Sequence, residues 1–164
     1  TPVPSSAASD VYKRQYVTQT TLSVDDTQDM IAELRNKFPN IESSPKEDIC
    51  YATSNRQNAI KEYANKCDAF IVVGSKNSSN SNRLVEVAKN AGCFNSYLLE
   101  NAESLNVSNY SSYNTIGISS GASVPEVLVE SVISKFQENY SLEIENVSLG
   151  EEDVQFKLPK EVRN

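Results

Sequence analysis

Apolar residues along the chain occur in short continuous runs that alternate with stretches of helical spacing. The run 69–73, Ala-Phe-Ile-Val-Val, is typical of a strand that is buried on both faces. A loop of hydroxyl and amide side chains follows it. Apolar residues then recur at Leu84, Val85, Val87 and Ala88, as on one side of a helix. The pattern therefore predicts a buried strand, a polar loop and a helix in succession.

The same alternation is predicted from residue 16 to residue 137. Capping-box spacings at Ser54 and Gln57, and again at Ser123 and Glu126, mark two helix starts. The predicted strands cover 16–22, 48–51, 69–73, 94–99 and 115–119. One predicted helix runs from the segment 23–26 to about 38, and the others cover 55–66, 82–90 and 124–137. Polar connections lie at 42–47 and 101–113. This order predicts an α/β fold with a mostly parallel sheet, and ligands bind at the carboxyl ends of strands in such folds.

The two ends of the chain depart from this pattern. Residues 1–15 are rich in Ser, Ala and Pro and lack periodicity, so we expect a disordered or foreign leader. In the tail, apolar residues alternate with polar ones in two short stretches, which predicts two edge strands without an obvious neighbour: Leu142, Ile144, Val147 and then Val154, Phe156, Leu158.

Composition and charge exclude several classes of function. The chain has 164 residues, a net charge of -7 and no histidine. The negative charge argues against a nucleic-acid partner, and the absence of histidine excludes Ser-His-Asp and Cys-His catalytic groups within the chain. No apolar run approaches the roughly 20 residues of a membrane span, and no segment resembles a secretory signal, so we expect a cytoplasmic protein. The spacings of Cys50, Cys67 and Cys93 match no zinc or ferredoxin pattern.

Hydroxyl-rich segments lie at the carboxyl ends of four of the predicted strands, at 18–21, 52–54, 78–80 and 119–123. Backbone N–H groups at a helix start favour an anion, and Ser and Asn add further donors. Ordinary helix capping is the competing interpretation for each loop, for Ser123 in particular. The six small polar residues at 77–82 exceed what one cap requires, so this loop favours a phosphate or diphosphate ligand.

Four motifs in this order resemble the 4-hydroxy-3-methylbut-2-enyl diphosphate reductase (LytB-type) family: Thr-Gln-Thr-Thr-Leu-Ser at 18–23, Asp-Ile-Cys-Tyr-Ala-Thr at 48–53, the run 74–84, and Gly-Ala-Ser-Val-Pro-Glu at 121–126. The resemblance covers about residues 16–164. It implies three similar α/β domains in a pseudo-threefold arrangement around a [4Fe-4S] cluster. It also implies reductive dehydroxylation of the substrate to isopentenyl and dimethylallyl diphosphate, in isoprenoid biosynthesis, with electrons from ferredoxin or flavodoxin.

The resemblance also implies roles for individual residues. Cys50 is similar to a cluster ligand, and Thr20 to the active-site threonine near the substrate hydroxyl. Ser78, Asn80 and Ser123 resemble the residues that hold the diphosphate, with Ser79 beside them and Thr53 a further candidate on the cysteine loop.

The family's other cysteine ligands, its histidines and its glutamate precede the threonine motif and are absent from this chain. We therefore expect a C-terminal part that is inactive alone: a leader at 1–15, the end of a second domain at 16–46, a third domain at 47–138, and a tail at 139–164 that packs on a missing first domain. The alternative is an α/β module that binds a phosphorylated small molecule without redox chemistry.

Overall fold

The computed structural model describes residues 15–43 and 49–149. Its strands are β1 (Gln15–Tyr16), β2 (Glu42–Ser43), β3 (Ala69–Val73), β4 (Ser96–Leu99) and β5 (Ile116–Ser120). Its α-helices are α1 (Val24–Lys37), α2 (Tyr51–Tyr63), α3 (Ser79–Asn90) and α4 (Glu126–Gln137), and 3-10 turns cover Ala64–Lys66, Ala102–Ser104 and Val107–Tyr110.

The main sheet has three parallel strands in the order β4-β3-β5. Phe70 of the central strand is paired with Ser96 on one side and with Gly117 on the other. A separate parallel pair joins β1 to β2, with Gln15 opposite Glu42. The predicted α/β class with parallel strands is confirmed.

Every residue of β3 is buried because helices cover both faces of the sheet. Phe70 and Val72 face α2 and α3 and pack in a cluster with Ile60, Leu84 and Val87. Ile71 and Val73 face the other side and pack with Val132 and Phe136 of α4. This two-sided burial explains the continuous apolar run.

The starts of α3 and α4 lie at the carboxyl edge of the sheet. The helices α3 and α4 follow β3 and β5, so each begins beside the end of its strand. The helix α2 precedes β3 and joins it through a 3-10 turn and two residues, so it runs in the direction opposite to β3. With about 1.5 Å of rise per residue, its 13 residues carry its start toward the same edge.

The structure corrects the prediction around Cys50. The helix α2 begins at Tyr51, so no strand covers residues 49–51, and Asp48 lies outside the described residues. The N-cap is Cys50, so the predicted capping box at Ser54 is wrong. Ser54 lies inside the first turn, where its hydroxyl donates to the Cys50 carbonyl oxygen at 3.4 Å. Gln57 instead points across to another segment.

The second predicted capping box is also wrong. The N-cap of α4 is Pro125, without a side-chain cap, so Ser123 lies outside the helix. The helix α3 begins at Ser79, three residues before the predicted start, because Ser78 caps it.

The predicted strands also change. The first strand ends at Tyr16, and β2 forms in the polar segment predicted as a connection. Residues 141–149 form no strand, and the second predicted tail strand, around Phe156, lies outside the described residues.

Candidate anion-binding site

The loop after β3 is held in one conformation by its own polar side chains. Ser78 accepts a hydrogen bond from the Ser81 backbone N–H (3.2 Å) and caps α3. The Asn82 side-chain amide donates to the carbonyl oxygens of Lys76 (2.8 Å) and Ser78 (2.9 Å). The loop is therefore fixed from within before any ligand arrives.

The loop after β5 lies directly against this first loop. The Gly121 N–H donates to the Val73 carbonyl oxygen at 3.0 Å, so the chain leaves β5 beside the end of β3. A Cβ at either Gly74 or Gly121 would overlap the Ser81 hydroxyl. The two loops can approach one helix start this closely because both positions are glycine.

Between these loops lies a cavity of about 380 Å³. The predicted residues Ser78 and Ser123 both line it, although they are 45 positions apart (123 minus 78). The other lining residues are Gly74, Ser75, Ser81, Glu100, Val124, Pro125 and Leu128. The structure therefore joins two of the sequence-predicted binding residues in one site.

Asn80, the second residue of α3, is not among the residues that line the cavity. It is 8% exposed, and its Oδ1 is buried without a hydrogen-bond partner among the described residues. Its Nδ2 lies 3.7 Å from the point where a Cβ of Gly121 would stand. Buried amide groups normally have partners. The unpaired Oδ1 is an acceptor, so only the Nδ2 group of this side chain could donate to an anion. Ser79 is exposed as the first residue of α3 and does not line the cavity.

The charges near the cavity nearly cancel. Glu100 lines the cavity, and its carboxylate pairs with the Lys76 ammonium at 3.3 Å. Both side chains are well exposed, so this pair contributes little to stability. Any anion in the cavity would be held mainly by hydroxyls, amides and the start of α3.

Thr20 and Cys50 are brought together by their backbones. The Cys50 N–H donates to the Thr20 carbonyl oxygen at 3.1 Å. The Cys50 thiol is exposed at the start of α2, where the Cys50 carbonyl accepts from the N–H groups of Thr53 (2.8 Å) and Ser54 (3.0 Å). Thr53 is 2% exposed, so its side chain is buried and does not face solvent.

The other two cysteines belong to the opposite edge of the sheet. Cys67 precedes β3 and Cys93 precedes β4, and the Cys93 thiol donates to the Cys67 carbonyl oxygen at 3.4 Å. Burial, together with neighbouring Cys93 and Asp68, raises the pKa of the Cys67 thiol. Within the described residues no group of three or more His, Cys, Asp or Glu side chains is placed to hold a metal ion. One thiol cannot hold a cubane cluster, so these residues fit such a group only as part of a larger ligand set.

Sequence reasoning missed Ser81, around which both loops close, and Glu100 on the cavity wall. Glu100 follows β4 directly, so its place at the carboxyl end of a strand was a usable signal. Nothing in the sequence distinguishes Ser81 from the other serines of its run, because its role depends on the approach of Gly121 from a distant segment.

The fold and cavity define an α/β protein with a parallel sheet and, at its carboxyl edge, a cavity lined by serines and apolar residues. The chain belongs to the LytB protein family, whose model matches residues 3–137. The matched range includes most of the segment 1–15, whose foreign origin stays a prediction. No helix among the described residues is both long and apolar enough to cross a membrane.

Related proteins of known name extend this result. The 4-hydroxy-3-methylbut-2-enyl diphosphate reductase of Beijerinckia indica is 51% identical over 148 residues, which cover 90% of this chain and 46% of that protein. The reductase of Methylocella silvestris is 47% identical over 161 residues, 98% of this chain and 50% of that protein. The chain thus spans about half the length of these relatives.

Two solved structures have similar folds. The E-1-hydroxy-2-methyl-but-2-enyl-4-diphosphate reductase from Plasmodium falciparum has a TM-score of 0.79 and 38% identity, over 93% of this chain and 48% of that one. A structure of (E)-4-hydroxy-3-methyl-but-2-enyl diphosphate reductase, described as the terminal enzyme of the non-mevalonate pathway, has a TM-score of 0.55 and 30% identity. The match covers 84% of this chain and 48% of that one.

Proposed function

We propose that this chain supplies the diphosphate-binding loops and one cluster thiolate of a 4-hydroxy-3-methylbut-2-enyl diphosphate reductase. The names of the relatives support this activity, and the chain spans about half of each. We further propose that the chain is inactive alone, since the described residues offer a single exposed thiol at the candidate site.

One observation carries the proposal: Ser78 and Ser123, from loops after different strands, line the same cavity. A diphosphate presents many acceptor oxygens and needs donors from several directions. Four serines line the cavity, three of them (Ser75, Ser78 and Ser81) between β3 and the first turn of α3 and one (Ser123) after β5, and the start of α3 adds a favourable dipole. The Nδ2 group of Asn80 is the third proposed donor, and Ser79 extends the site along the first turn of the helix.

Thr20 and Cys50 form the proposed reactive side of the site. The shared backbone hydrogen bond sets the threonine segment against the cysteine. In this proposal Thr20 lies near the substrate hydroxyl and supports proton delivery, while Cys50 holds one corner of a [4Fe-4S] cluster. Bound there, the cluster would supply electrons for the reduction. Thr53 supports the cysteine loop, which is a weaker role than substrate binding.

The remaining parts of the proposal come from the family resemblance. They comprise ferredoxin or flavodoxin as electron donor and a cytoplasmic location. They also comprise the division of the chain into the end of a second domain at 16–46, a third domain at 47–138, and a tail from 139 that packs on a first domain supplied by the rest of the protein.

Titration calorimetry with inorganic pyrophosphate tests the diphosphate site. Ser123→Ala removes a hydroxyl that caps no helix, so we expect pyrophosphate affinity to fall about ten- to a hundredfold, the loss of roughly one hydrogen bond to a charged group. Ser112→Ala removes an exposed hydroxyl from the 101–115 connection and is the matched control. Equal affinity of the wild type and the Ser123→Ala variant would contradict the proposed site.

Anaerobic reconstitution with iron and sulfide separates the reductase from the alternative binding module. We expect this chain to form no stable cubane cluster and to show no turnover by itself. A stable cluster with turnover would contradict the proposed inactivity. Pyrophosphate binding is then compared between the wild type and Cys50→Ser, with and without iron. The comparison is made in this chain and in a version extended to the length of its relatives. Equal affinity under all these conditions would favour the module without redox chemistry.

A further inference from the structure

Gln57 is a fully buried polar side chain in the middle of α2, with an exposed fraction of 0%. Its Oε1 accepts a hydrogen bond from the Val24 N–H at 3.0 Å, and its Nε2 donates to the Leu22 carbonyl oxygen at 2.9 Å. Both partners lie more than 30 positions away in the chain. Gln57 therefore joins α2 to the segment that contains Thr20.

The two backbone groups that Gln57 satisfies have no helical partner of their own. Val24 is the first residue of α1, and its N–H is one of the donors left open at a helix start. Ser23 caps this helix through the Asp26 N–H, which leaves the Val24 N–H for Gln57. One amide side chain thus completes the start of α1 from a different helix.

The same two segments meet a second time at the candidate site. Cys50 lies seven positions before Gln57 in α2, and its N–H donates to the Thr20 carbonyl oxygen at 3.1 Å. The ion pair between Lys61 and Asp25 (2.7 Å) joins them again, but both side chains are partly exposed and the pair is weak. The two hydrogen bonds of the fully buried Gln57 side chain are therefore a stronger polar link between the Thr20 segment and α2 than this ion pair.

We propose that Gln57 is a positioning residue, which fixes Thr20 relative to Cys50 by hydrogen bonding Leu22 and Val24, the residues on either side of Ser23 just after the Thr20 turn. Its relevance to catalysis rests on the proposed function. The link itself is a property of this chain and is measurable without a cluster. Gln57 does not line the cavity, so it affects the Thr20–Cys50 pair and leaves the diphosphate loops unchanged.

Amide hydrogen exchange by nuclear magnetic resonance on the full chain tests this inference. In Gln57→Leu we expect exchange at Val24 and Cys50 to become about ten- to a hundredfold faster, while Ile71 in β3 changes far less. Gln57→Glu retains an oxygen acceptor, so it should protect Val24 better than Gln57→Leu does. Asn58→Ala, an exposed amide on the same helix, is the matched control.

The outcomes separate this inference from the proposed function. Equal acceleration at Val24, Cys50 and Ile71 would show a general loss of stability and would overturn the positioning role. Exchange at Val24 and Cys50 that is no faster in Gln57→Leu than in Asn58→Ala would overturn it too. Pyrophosphate affinity is measured on the same variants and should not change. If the wild type fails to bind pyrophosphate, the proposed diphosphate site fails, while the exchange result still decides the role of Gln57.

Discussion

Single hydroxyl groups at this site serve two separate purposes. Ser78 both caps α3 and lines the cavity, whereas Ser123 lines the cavity and caps nothing. A loss of binding on Ser78→Ala would therefore be ambiguous, since losing the cap alone costs about 1 kcal/mol of stability. A substitution that keeps the cap and changes the charge resolves this ambiguity.

Ser78→Asp is that substitution. Aspartate is as good an N-cap as serine, so we expect the free energy of unfolding to stay within about 0.5 kcal/mol of the wild type. The added negative charge faces the cavity and should lower pyrophosphate affinity at least about tenfold. Urea denaturation and calorimetry measure the two effects. Unchanged affinity in a stable Ser78→Asp variant would show that no anion binds beside Ser78.

At the scale of elements, the approach of β5 to α3 depends on Gly121. Gly121→Ala would press its Cβ against the Ser81 hydroxyl, and we expect a loss of about 1–3 kcal/mol in the free energy of unfolding. Ser81→Ala removes that hydroxyl, so the double variant should recover much of the loss, as measured by a double-mutant cycle in urea.

Gly74→Ala is the control for this cycle. A Cβ there would also lie 2.7 Å from the Ser81 Cβ, which Ser81→Ala retains. The second cycle should therefore show less recovery than the first. An absence of recovery in the Gly121 cycle would contradict the proposed contact between the β5 loop and the Ser81 hydroxyl.

Asp68, just before β3, links the amino ends of two strands of the sheet. Its carboxylate accepts from the backbone N–H groups of Asn114 (2.8 Å) and Thr115 (3.0 Å), and these bonds, Thr115 first, hold its pKa below the usual range. A lowered pKa means that the stabilisation is complete above the unfolded pKa, near 4, and is lost as the pH falls through the lower folded value. The carboxylate thus connects the starts of β3 and β5 in a pH-dependent way.

Asp68→Asn tests this link. We expect the wild type to be more stable than the variant by a constant amount above about pH 5, and this difference to shrink below about pH 4. Urea unfolding of both proteins across this range measures it. A difference that does not vary with pH would show that the charge of Asp68 is not involved.

Sequence reasoning succeeded for elements whose signals are local. The continuous apolar run gave β3, and Ser23 with the acidic residues after it gave α1. It failed at Gln57, where two interpretations fit the same local pattern. A polar residue three positions after a serine can complete a capping box, or it can bond a distant segment. The cavity depends on the meeting of 74–81 with 121–125, which no local pattern contains.

At the scale of the whole molecule, the segment after α4 leaves apolar side chains in solvent. Leu142, Ile144, Val147 and Leu149 are each between 40% and 49% exposed. We expect concentration-dependent association of the chain through these residues, and the double change Leu142→Ser and Ile144→Ser should reduce it. Sedimentation velocity over a range of concentrations measures this effect.

Val127 on α4 provides the control for association. It is 64% exposed and lies outside the tail, so Val127→Ser should leave the association unchanged. If the tail variant and this control associate alike, the tail is not the contact surface, and the prediction that it packs on another domain loses its support.

The uneven exposure of the three cysteines has a practical consequence. Cys50 is exposed, Cys67 is half-buried with a raised pKa, and Cys93 is 2% exposed. A maleimide dye added briefly to the native protein should therefore attach to one known position at the start of α2. The natural sequence thus provides a reporter beside the candidate site, and a fluorophore there could follow ligand arrival in real time without an engineered cysteine.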